Sequence, residues 1–120
     1  MSHIVTIKTE IRDPVAIAAA CERLQLTAPV QRTVRLFNAE ATGLAVELPG
    51  WRYPIVCQTE TGAILYDNYE GRWGSDAEFH RFKQAYAVEL TKLQMRRQGQ
   101  TPCEQMLEDG WIRVRAVVAA

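Results

Sequence analysis

The sequence predicts an α+β domain: an antiparallel β-sheet with two helices packed on one face, in the order β-α-β-β-β-β-α-β-β. Three observations lead there. Two segments carry apolar residues at helical spacing, each opening on a capping residue. The stretch between them, 30–69, alternates with a period of two and is broken by Pro-Gly and Thr-Gly turns. The chain end repeats that alternation around Asp109-Gly110. Hairpins with few crossovers distinguish such a fold from the βαβ order of a parallel sheet.

Residues 3–11 alternate, with Val5, Ile7 and Ile11 on one face and Ile4, Thr6, Lys8 and Glu10 on the other, which predicts a half-buried strand. Asp13-Pro14 opens a helix, because an Asp side chain accepts from free helical amides and proline suits the first turn. Ile17, Ala20, Cys21 and Leu24 make its apolar stripe, and Pro29 ends the unit.

Strands follow. Val30, Arg32, Val34 and Leu36 alternate with Gln31, Thr33, Arg35 and Phe37. Leu44, Val46 and Leu48 lead into a turn at Pro49-Gly50. The run from Tyr53 to Gln58 contains Pro54, which marks an edge or a strand start. Thr61-Gly62 turns the chain into Ala63–Tyr66, completing the spacing of a meander. Ser75 followed by Glu78 is a capping box for a helix over 75–98. Phe79, Phe82, Tyr86, Leu90 and Leu93 form its stripe, Arg96 and Arg97 suit its negative end, and Gly99 suits the residue beyond it. Asp109-Gly110 is expected to be a two-residue hairpin turn between Cys103–Glu108 and Trp111–Val118.

A chain of 120 residues with 48% hydrophobic residues fits one domain, 1–120, with a real core. Lys plus Arg and Asp plus Glu are both 14, divided 6 and 6 in 1–60 and 8 and 8 in 61–120. No basic excess supplies the phosphate contacts that carry nucleic-acid affinity, so nucleic acid is a disfavoured partner. The opening Met1–Thr6 does not read as a signal peptide, and no run reaches the ~18 apolar residues of a membrane span. The three cysteines, Cys21, Cys57 and Cys103, are odd in number and far apart, which points to buried free thiols in the cytoplasm and not to a disulfide framework or a zinc site. No catalytic residues, metal ligands or cofactor motif are expected: no phosphate loop, dinucleotide fingerprint or nucleophile elbow is present. The two histidines, His3 and His80, are far apart in sequence, and His80 lies off the apolar stripe near Asp76 and Gln84.

Two segments are candidate binding surfaces. Tyr66, Asp67, Asn68, Tyr69, Glu70, Arg72 and Trp73 form the densest polar-aromatic stretch, entering the second helix from a strand. Loops on a rigid frame often carry function. Asp67 and Glu70 offer acid/base or hard-cation chemistry, while Asp, Asn and Gly are equally ordinary turn residues. The second candidate is the last hairpin. With a two-residue turn, Glu108 faces Trp111, Met106 faces Arg113 and Glu104 faces Arg115. Leu107, Ile112 and Val114 then turn to the core. Trp111, Arg113 and Arg115 form either a stacking and phosphate surface, a protein-docking face, or a solvated sheet face neutralised by Glu104 and Glu108.

The two ends of the chain carry a resemblance. Ser2-His3-Ile4-Val5-Thr6-Ile7-Lys8-Thr9-Glu10-Ile11-Arg12-Asp13 resembles the opening of the Domain of Unknown Function 1257 family, which includes a hypothetical conserved reading frame of plastid genomes. Glu108-Asp109-Gly110-Trp111-Ile112-Arg113-Val114-Arg115 is similar to its closing strand, and the helix with Gln84-Ala85-Tyr86 to its penultimate helix. The middle, 39–74, departs from the plastid pattern and is closer to compact bacterial members. The resemblance implies no activity and no catalytic residues. It implies an accessory role beside an ATPase of the AAA class. The expected function is therefore a non-enzymatic binding or adaptor module for a protein partner. The alternatives are a small ligand-binding domain or enzyme using Tyr66–Trp73, and thirdly a nucleic-acid-binding module. A homodimer through the far end of helix 75–98, where Leu90 and Leu93 lie beside Arg96 and Arg97, is also expected.

Overall fold

A computed structural model describes residues 4–117. The Ser2-His3 start of the N-terminal motif and Val118 lie outside the described residues. The element order is β1 (Val5–Lys8), α1 (Pro14–Arg23), β2 (Val30–Arg35), β3 (Glu40–Val46), β4 (Ile55–Gln58), β5 (Ala63–Tyr66), a single 3-10 turn at Tyr69–Gly71, α2 (Asp76–Arg97), β6 (Thr101–Met106) and β7 (Ile112–Val117). This is the expected α+β order. Strands β2 to β5 form the meander and β1 closes it beside β5, giving an antiparallel sheet of order β1-β5-β4-β3-β2. Pro54 precedes an interior strand and so marks a strand start.

Alternation along the strands divides the apolar residues between the two sheet faces. Ile7, Leu44, Val46, Ile55, Cys57, Ile64 and Tyr66 meet both helices on one face. Helix α1 contributes Ala16, Ile17, Ala20 and Cys21, and α2 contributes Phe79, Phe82, Ala85 and Tyr86. Val34, Leu36, Ala41, Ala45 and Val56 form a smaller core on the opposite face, with Ile4, Tyr53 and Leu65 packed against it.

Both helix starts use the expected caps. Asp13 Oδ1 accepts from the backbone N–H of Val15 and Ala16, and Ser75 Oγ accepts from that of Glu78. The Glu78 carboxylate pairs with Arg81 one turn on. Tyr86 ties the helices together: its hydroxyl accepts from the backbone N–H of Arg12 and Asp13, at 3.1 and 3.0 Å. A side chain of α2 thus fixes the entry into α1.

The last hairpin forms a second, two-stranded sheet. Among the described residues strands β6 and β7 pair only with each other, and they pack along α2. The order of layers is sheet, helices, hairpin. The reason lies in the path out of α2. Gly99 takes φ 77°, a left-handed conformation that glycine adopts without a Cβ clash, and sends the chain straight back along the helix. The molecule is correspondingly longer than a compact chain of its size: its extents are 60 × 31 × 23 Å and its radius of gyration 15.6 Å, against the ~14 Å expected.

Candidate functional site

The turn of the hairpin decides what its outer face presents. Leu107 N–H donates to the Trp111 carbonyl at 2.8 Å, and Gly110 N–H to the Leu107 carbonyl at 3.1 Å. The connection is therefore three residues long, Glu108 to Gly110, with Gly110 at φ 86°. This is a type I turn followed by a left-handed residue, a common alternative to the two-residue turn. The extra residue shifts the register by one. Met106 pairs with Ile112, Gln105 with Arg113, Glu104 with Val114 and Cys103 with Arg115. A one-residue slip moves every side chain of one strand to the opposite face.

Glu104 consequently does not face Arg115. It turns inward with Val114 and meets cations from both helices: Arg23 Nη2 at 2.6 Å and Lys92 Nζ at 2.7 Å. Glu89 joins the group through Arg23 and Lys92, at 3.5 and 3.6 Å. The hydrogen bond from Arg23, then that from Lys92, hold the Glu104 carboxyl down at about 2, against the opposing effect of burial. Glu104 also raises the Arg23 guanidinium. This network clamps the hairpin onto α1 and α2, and sequence reasoning missed it because its members lie on three separate elements.

The outer face carries Arg113 and Arg115 with Cys103 and Gln105, and Trp111, 66% exposed, stands at the turn where it also lines the grooves beside α2. Among the described residues neither arginine is ion-paired. Beside this face, Trp111 joins Ala77, His80, Arg81, Gln84, Asp109 and Gly110 around a cavity of about 470 Å³. A neighbouring groove of about 340 Å³ continues along α2, between Ala87, Val88 and Thr91 on the helix and Ile112 and Val114 on β7. His80 is exposed at the rim, and among the described residues no three His, Cys, Asp or Glu side chains come together to hold a metal ion.

The second candidate, 66–74, is a structural crossover from one sheet face to the other. Asp67 and Asn68 are buried. Asp67 Oδ1 accepts from Tyr69 N–H, while its Oδ2 has no hydrogen-bond partner among the described residues. Asn68 Nδ2 donates to the Gly74 carbonyl and to Asp76 Oδ1, and the Asn68 carbonyl accepts from Gly71 and Trp73. Burial, with the Asp76 charge adding to it, raises the Tyr66 phenol. Tyr69 and Glu70 are held at φ 48° and 54°, where side chains are normally unfavourable. On the helix face, Trp51 packs edge-on against Tyr66 and Phe79. On the other, Trp73 meets Tyr69, Phe37 and Tyr53 with centroids 4.7, 5.4 and 5.8 Å away. The Arg52 guanidinium lies 4.7 Å over the Trp73 ring, and that of Arg72 lies 5.0 Å over Tyr69. Glu70 and Arg72 are exposed. Arg52, Tyr53 and Phe37 were not legible as members of this cluster, since no local spacing links them to Trp73.

At the far end of α2, Leu90 and Leu93 are half-buried against the first core, and Arg97 pairs with Asp13 at 3.2 Å. Val15, 54% exposed, and Pro14 border the groove there. No helix among the described residues is long and apolar enough to cross a membrane. The chain matches no family model, no curated protein and no solved structure.

Proposed function

We propose that this protein is a non-enzymatic adaptor that docks on a protein partner through the outer face of the β6–β7 hairpin. The observation that carries the reading is the exposed Trp111 near two arginines that form no ion pair among the described residues. Aromatic and arginine side chains are the residues most enriched at interfaces and at their energetic centres. The hairpin is clamped from beneath by Glu104, so the face is presented rigidly. The 66–74 loop supports the reading by contrast. Its Asp67 and Asn68 are buried in holding the chain path, which leaves the alternative of a small ligand-binding domain or enzyme with Glu70 and Arg72 alone as exposed polar groups. The resemblance of the chain ends to the Domain of Unknown Function 1257 family adds an accessory role in the cytoplasm, with an AAA-type ATPase as the partner class to test first.

The test is capture of partners from native cells with the tagged chain and with Trp111→Ala and Arg113→Ala/Arg115→Ala. A protein retained by the wild type and lost by both variants, at unchanged stability, is expected. Equal capture by all three chains would defeat the reading. A nucleic-acid module is the second reading, favoured by the register that removes Glu104 from the arginines. Bases would stack on Trp111 and phosphates would meet Arg113 and Arg115. The zero net charge weighs against it. Tight single-strand binding at physiological salt, lost in the double arginine variant, would place it first.

A further inference from the structure

The hairpin's two free edges differ. Leu107 and Trp111 form a hydrogen-bonded pair, so Gln105 with Arg113 and Cys103 with Arg115 are the next such pairs. The residues between them turn their backbone groups outward. On β6 these are Pro102, Glu104 and Met106; on β7 they are Ile112, Val114 and Ala116. Pro102 has no N–H to offer, and Glu104 holds two cations beneath the same strand. Proline and an inward charge are the usual devices that blunt an edge. The β7 edge carries neither. Its outward N–H and C=O groups adjoin the groove formed by Ala87, Val88 and Thr91 of α2, and among the described residues no strand other than β6 pairs with β7.

The geometry points to the β7 edge as the docking line for an extended, acidic segment of the partner, added as a third strand beside β7; this rests on the adaptor reading. Alternate side chains of the added strand enter the apolar groove over α2. The others lie on the outer face next to Arg113 and Arg115, so that face selects carboxylates. The same charges reject a second copy of this chain. Two β7 strands paired antiparallel would bring Arg113 and Arg115 of both copies onto one face, and like charges across a strand pair are destabilising. Backbone bonds supply affinity and alternate side chains supply specificity, as in other strand-addition complexes.

A display library of eight-residue peptides tests this, with Glu or Lys at alternate positions and Val, Ile, Leu, Phe or Thr at the rest. Selection on the whole chain is expected to enrich Glu over Lys about tenfold, from two cross-strand charge pairs. A bound Glu peptide should slow amide exchange at Ile112, Val114 and Ala116. Val114→Pro removes an outward donor without breaking a β6–β7 bond and should weaken the peptide about tenfold. Arg113→Glu/Arg115→Glu should reverse the preference to Lys, and decides the matter even if the proline variant misfolds. No enrichment, or no preference of sign, overturns the proposal. So does edge protection accompanied by a dimeric mass without peptide, which would give the edge to a second copy. If Val114→Pro folds and captures the cellular partner as well as the wild type, while Trp111→Ala loses it, edge pairing is wrong and docking on the outer face stands.

Discussion

Replacing Glu104 by Gln keeps the side chain's shape and removes its charge, and so measures the clamp that holds the hairpin. The folded carboxyl titrates at about 2 against an ordinary 4.5. At ~1.4 kcal/mol per pKa unit the whole shift corresponds to about 3 kcal/mol. Water still reaches the side chain, which is 30% exposed, and screening there lowers the contribution to about 1–2 kcal/mol. The sign follows from the depression: the stabilisation is complete above the unfolded value of 4.5 and is lost as pH falls through the folded value of about 2. Urea unfolding at pH 7 should therefore show Glu104→Gln less stable by about 1–2 kcal/mol, with less than half of that gap to wild type left at pH 3. Arg23→Met in the same background should add less than it costs alone, because both changes dismantle one network. A two-residue turn would put Glu104 beside Arg115 in solvent, where a pair contributes only tenths of a kcal/mol to about 1. A gap below ~0.3 kcal/mol at pH 7, or one constant down to pH 3, would refute the clamp.

A Cβ on Gly74 would lie 2.3 Å from the Trp51 ring, so Gly74→Ala should destabilise by about 1–3 kcal/mol in chemical denaturation and alter the near-ultraviolet tryptophan signal. A neutral result would mean that Trp51 is free to move. Burial raises the Cys21 thiol to about 11 and the Cys57 thiol to about 12, while Cys103, against the expectation of burial, is exposed on the hairpin. A thiol reagent at pH 8 should therefore label one cysteine per native chain, and Cys103→Ser should abolish the fast labelling. Homodimerisation through the end of α2 would bury Val15, so Val15→Glu should return a dimeric mass to the monomeric one by light scattering at micromolar concentration. A wild-type monomer there removes that interface.

What the sequence determined by itself is local. Asp13 and Ser75 cap their helices because a cap needs only a side-chain oxygen two or three residues from free amides. The meander from β2 to β5 was legible because turn residues and period-two alternation lie within a few positions of each other. Tertiary structure decided the rest, through contacts between residues far apart in the chain. Whether Asp109-Gly110 closed a two- or a three-residue loop turned on a single bond, Leu107 to Trp111, and that bond set which face Glu104 took. Asp67 and Asn68 were readable as binding residues as well as turn formers until the tertiary structure buried them. Trp73 met Arg52 and Phe37 only because strands brought them together from opposite sides. An alternating pattern says that a strand has two faces; which of them meets the protein depends on what packs there, and that information lies outside the strand.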